Sequence, residues 1–120
     1  MSLTIATFLV GVVAFLQTLI AVFEIFLWNL SWVHSRLDFT DAEAKKVAAI
    51  VANAGLYNSF LAAGLIWGAN ANAGGLRIEI FFLSCVAIAG VFGAVTLKPT
   101  TLLLQTLPSV GALAALWMAR

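Results

Sequence analysis

Residues 3–30 form an almost wholly apolar run broken by a single acid, Glu24, near its far end. The hydrocarbon core of a bilayer is crossed by about 20 such residues wound as a helix. An acid inside that run costs roughly 2.5–3.5 kcal/mol on insertion, so its presence points to polar work done there. Further apolar runs follow at 47–69, 78–97 and 101–117, and none alternates with the two-residue period of a barrel strand. Trp28, Trp32, Trp67 and Trp117 fall near the ends of runs, where an aromatic belt meets the headgroups. The expected fold is therefore all-α: one domain over 1–120, an integral membrane bundle of four transmembrane helices in antiparallel up-down hairpins. The helices are placed at about 3–32, 43–69, 77–97 and 100–118.

Composition leaves no room for a water-soluble domain. Of the 120 residues, 63% are hydrophobic and 9% charged, against about 25% charged in soluble domains. The net charge of +1 and the lack of a basic run exclude a nucleic-acid footprint. The first apolar run is longer than a signal-peptide core and has no basic residues before it, so it is expected to stay in the mature protein. Cys85 stands alone, which rules out an intrachain disulfide.

The connections differ sharply. Residues 34–46 hold seven of the twelve charged or histidine residues, and Thr40-Asp41-Ala42-Glu43 has the character of a helix N-cap. Residues 70–75 form a turn, and Lys98-Pro99 makes a short hairpin link. Arg36, Lys45, Lys46 and Lys98 lie on one side, against Arg77 and Arg120 on the other. That bias favours a cytoplasmic 33–46 loop, both termini outside, and insertion in the cell membrane.

Alternating helices bring the end of the first, the start of the second and the start of the fourth to one side. Glu24, Gln17, Asn53, Tyr57, Asn58 and Gln105 are thus expected to line one pocket opening toward the 33–46 loop, where they hold a ligand or a proton. The plainer alternative is that these side chains make interhelical hydrogen bonds worth about 0.6 kcal/mol each. Gly55, Ser59 and Ala63, and likewise Cys85, Ala89 and Gly93, have the small-residue spacing that lets helices approach, and Pro108 is expected to kink the last helix. His34 has no second ligand at metal spacing, so no metal is expected, and loop solvation accounts for it. No catalytic residues and no cofactor are assigned. A Ser/His/Asp arrangement would need Ser31 or Ser35, His34 and Asp38 together in a surface loop.

The stretch Ala52-Asn53-Ala54-Gly55-Leu56-Tyr57-Asn58-Ser59-Phe60-Leu61-Ala62-Ala63-Gly64-Leu65 resembles the signature of a small membrane family catalogued as domain-of-unknown-function family 1304. The likeness continues in Glu24-Ile25-Phe26-Leu27-Trp28, in Phe81-Phe82-Leu83-Ser84-Cys85 with Ala89-Gly90, and in Gln105 before Pro108. The resemblance implies four membrane helices and no established activity. This chain has Leu16-Gln17 where the family commonly shows Glu-His, and Asn53-Ala54-Gly55 where it commonly shows Asn-Gln-Gly. That puts in doubt any role needing an intramembrane histidine.

Three functions compete. The first is binding or transport of a small, partly apolar or lipid-like molecule with Glu24 as a protonatable anchor. In size and in its single helix-one acid the chain is similar to small multidrug-resistance exporters, with Glu24 late in its helix rather than early. Such a transporter calls for a homodimer. The second is an accessory subunit of a larger membrane complex, and the third a membrane-embedded enzyme acting on a lipid or quinone. The bilayer is a partner in all three.

Overall fold

In lipid a backbone must bond to itself, and a helix does this within one segment. The computed structural model describes residues 3–119, and all regular secondary structure among them is helical. The helices are α1 (Leu3–Ile25), a one-turn α2 (Ser31–His34), α3 (Asp41–Asn70), α4 (Gly75–Thr96) and α5 (Leu107–Ala119). A 3₁₀ turn, Ser35–Leu37, follows α2, and a π-helical turn, Leu102–Thr106, leads into α5. Four stretches are long and apolar enough to cross a membrane: Thr4–Ile25, Asp41–Asn70, Gly75–Thr96 and Leu102–Ala119. Arg120, used above to weigh orientation, lies outside the described residues.

The bundle measures 49 × 24 × 18 Å. Each long helix packs on its chain neighbours, and α5 closes the ring against α1, leaving α1 and α4 diagonal. Phe8, Phe15, Ile50, Ile88, Phe92 and Val95 stand exposed around the outside. In water such a surface would drive association; in a bilayer it is the lipid face.

Local chemistry sets the ends. Thr40 caps α3 reciprocally: its Oγ1 accepts from Glu43 N at 3.2 Å, and its own N–H donates to Glu43 Oε1 at 2.9 Å. Gly74 enters α4 at φ 77°, a conformation glycine adopts without steric cost. Lys98 reaches Asp38 at 3.2 Å, tying the two loops at one end of the bundle. That end is called the loop end here, and the opposite one, with the 71–74 turn, the turn end.

Three expectations need correction. The first helix does not continue to residue 32 but stops at Ile25, because the chain turns so that Trp28 can fold inward onto α3 and donate from Nε1 to Ala44 O at 2.9 Å. The small-residue stripes hold only in part: Gly55 is buried, Ser59, Cys85, Ala89 and Gly93 are half-buried, and Ala63 is exposed, while Ala62 and Gly68 on α3 and Gly90 on α4 are further small residues that are buried. A strict four-residue step overshoots a 3.6-residue turn by about 40°, so from Gly55 to Ala63 it walks off the buried face. Finally, Pro108 does not act alone. It has no N–H to offer Leu104, and the preceding turn widens to π geometry, with Leu107 N bonded to Leu102 O.

Candidate functional site

The interior is layered. Toward the turn end, Val10, Val13, Leu65, Leu83, Val86, Ala112 and Leu116 form an apolar core. Toward the loop end, Trp28, Val33 and Ala44 form a second cluster, packed round by Phe23, Leu37 and Phe39. Polar side chains fill the level between. Following each helix from the core toward the loop end, the next inward residues are Gln17 on α1, Asn58 on α3, and Ser109 on α5 followed by Gln105 in the π turn before it.

Two of them, Gln17 and Asn58, form a directed chain with Glu24. Gln17 Nε2 donates to Asn58 Oδ1 at 3.4 Å, and Asn58 Nδ2 donates to Glu24 Oε1 at 2.6 Å. A carboxylate only accepts, so Glu24 fixes which end of the Asn58 amide faces it. Asn58 then offers its oxygen to Gln17, which leaves Gln17 Oε1 as the end of the chain. Gln17 is fully buried; Glu24 and Asn58 are half-buried.

Close helix approach makes the short bond possible. Gly55 faces α1 where a β-carbon would lie 2.8 Å from Ile25 Cγ1 and 2.9 Å from Glu24 Cβ. Among the described residues Asn58 is the only hydrogen-bond partner of Glu24, and no ion pair involves it. Gln17 Oε1, Gln105 Oε1 and Ser109 Oγ are buried with no partner among those residues. Each such atom costs roughly 1–3 kcal/mol.

The predicted set is thus split. Glu24, Gln17 and Asn58 come together, and Gln105 joins their level from the π turn. Asn53 and Tyr57 do not: both are exposed on the outer face of α3, Tyr57 by 60%. They share a face with each other, but that face is rotated away from the one carrying Asn58. Ser109 was legible as the position one turn after Gln105, yet a serine among Pro and Val carries little signal.

Nor does the site open toward the 33–46 loop. The Trp28 cluster caps it, and His34 pins the cap instead of being solvated. The side chain is 3% exposed, with Nδ1 2.7 Å from Trp28 O and Nε2 2.7 Å from Asp41 Oδ1. Ser31 Oγ donates to the same Asp41 oxygen at 2.8 Å. Ser31 therefore faces the carboxylate and not the imidazole, so the trio lacks the nucleophile–base contact of a hydrolase. With acceptors at both nitrogens, first the Trp28 carbonyl and then Asp41, His34 is held above its ordinary pKa of 6.5.

A family model described as "Protein of unknown function (DUF1304)" matches residues 11–117. No curated protein and no solved structure matches the chain.

Proposed function

We propose that this chain, which belongs to the DUF1304 family of proteins of unknown function, binds a small, partly apolar molecule at Glu24 and moves it in step with a proton. One observation carries the reading: a carboxylate in an apolar span, held by a single amide, with no cation paired to it among the described residues. A group that costly in lipid is kept for a ligand or a proton. The unpartnered oxygens of Gln17 and Gln105 are acceptors, so the ligand's polar end is a hydrogen-bond donor. The basic residues Arg36, Lys45, Lys46 and Lys98 favour a cytoplasmic loop end.

Glu24→Gln tests it, because the amide fills the same volume. In nanodiscs the variant is expected to unfold within about 1 kcal/mol of wild type and to lose pH-dependent binding of a fluorescent alkylamine. Glu24→Ala is expected to lose binding and a further 1–3 kcal/mol or so of stability, by stranding Asn58. Equal alkylamine binding by Glu24→Gln at every pH would sink the proposal.

Asn53 and Tyr57 favour a second reading, that α3 pairs with α3 of another copy. Asn53 lies about 18 Å along α3 from Asp41, facing lipid. An amide both donates and accepts, so two Asn53 side chains across a two-fold axis satisfy each other. With Cys85 replaced by serine, a cysteine at Asn53 is expected to cross-link copies in native membranes, and one at exposed Gly11 not to. Monomer alone from the Asn53 position counts against the pairing.

A further inference from the structure

The turn end holds a recess that the Glu24 reading does not use. About 510 Å³ of space lies between the last turn of α3, the 71–74 turn, the start of α4 and the ends of α1 and α5. Gly68, Gly74 and Gly75 give it a floor free of side chains. A β-carbon on Gly75 would fall 2.5 Å from Gly68 O, so the floor cannot be built from larger residues.

Asn72, Arg77 and Glu79 line the recess. Arg77 is exposed and Glu79 half-buried, and neither is paired with the other or with another described residue. Opposite charges that share one recess without neutralising each other complement a group bearing both signs on separate atoms. The level is that of the headgroups, since Trp67 and Trp117 stand exposed at the same end, on α3 and α5.

We propose that this recess binds a dipolar group with a phosphate and a primary ammonium on a short linker. The phosphate sits at Arg77, which presents a planar fork of donors, and the ammonium sits at Glu79. An ethanolamine phospholipid carries this chemistry in its headgroup, and glycerophosphoethanolamine carries it free in water.

The full chain in nanodiscs of mixed ethanolamine and glycerol phospholipids provides the test, read as the lipids retained in native mass spectrometry. Wild type is expected to enrich ethanolamine over glycerol lipid by about fivefold, the scale of one partly exposed ion pair. Glu79→Gln keeps the side-chain volume and is expected to abolish that preference, while Arg77→Gln weakens retention of both lipids. Thermal unfolding of each variant checks that the fold is intact. Displacement of the lipid by millimolar glycerophosphoethanolamine assigns the headgroup alone as the ligand. Enrichment that resists displacement assigns the acyl-bearing lipid. No enrichment in wild type with either probe, or a preference unchanged in Glu79→Gln, overturns the proposal.

Discussion

Gly55→Leu is expected to separate α1 from α3 and to take the candidate site with it. The nearest atoms to a β-carbon at that position are Ile25 Cγ1, Glu24 Cβ and, at 3.2 Å, the backbone oxygen of Ala21. A side-chain tip can swing away, but a helix carbonyl cannot, so the helices must part. Overpacking of this kind costs about 1–3 kcal/mol. In lipid no hydrophobic drive re-forms the contact, because the membrane is as apolar as the seam. Even Gly55→Ala is expected to destabilise, although alanine is the better helix former by up to about 1 kcal/mol. Gly11→Leu is the control, since a β-carbon there meets nothing within 4 Å. Unfolding midpoints should fall for both Gly55 variants and hold for Gly11→Leu. As the axes part, the 2.6 Å bond from Asn58 to Glu24 is broken, so alkylamine binding should fail too. A Gly55→Leu protein as stable as wild type would contradict the seam.

How much of this was legible in the sequence follows from the range of each signal. Apolar run length reports directly on the hydrocarbon thickness, so the four spans and their alternation could be read from composition along the chain. The Thr40–Glu43 cap lies within one turn and was equally plain. The radial direction of a side chain is less secure, because a small error in the assumed face accumulates along a 30-residue helix. Asn58 bonds to Gln17 and Glu24, while Asn53 and Tyr57, five and one residues earlier and so about 140° and 100° away round the helix, are exposed. His34 failed for a different reason. Its burial depends on where α1 stops, and nothing local marks Ile25 as the last helical residue. The cause lies across the fold, in the bond that Trp28 makes to Ala44.

Trp28→Ala is expected to open the loop end. The ring is 4% exposed, meets Phe39 edge-on at 5.5 Å and bonds to Ala44 O. Truncating a buried tryptophan costs about 3–5 kcal/mol. Trp28→Phe keeps most of the packing and forfeits the N–H bond, for about 0.5–1.5 kcal/mol. Because Glu24 lies one turn inside Trp28, its reaction with a membrane-impermeant carbodiimide, read by peptide mass at fixed pH, should rise several-fold in Trp28→Ala. In sealed vesicles that rise should appear only with the loop end facing the reagent; inside-out vesicles are expected to show it if that end is cytoplasmic. Unchanged reactivity from both sides would mean that the cap does not guard the site. The cap also carries a pH dependence, through His34. Its folded pKa is raised above 6.5, so its stabilisation is fully present below 6.5 and is lost as pH climbs through the folded value. Above that value the neutral ring has one N–H for two acceptors, Trp28 O and Asp41. The difference in unfolding midpoint between wild type and His34→Gln should therefore shrink as pH rises from 6.5. A constant difference would assign His34 a packing role alone.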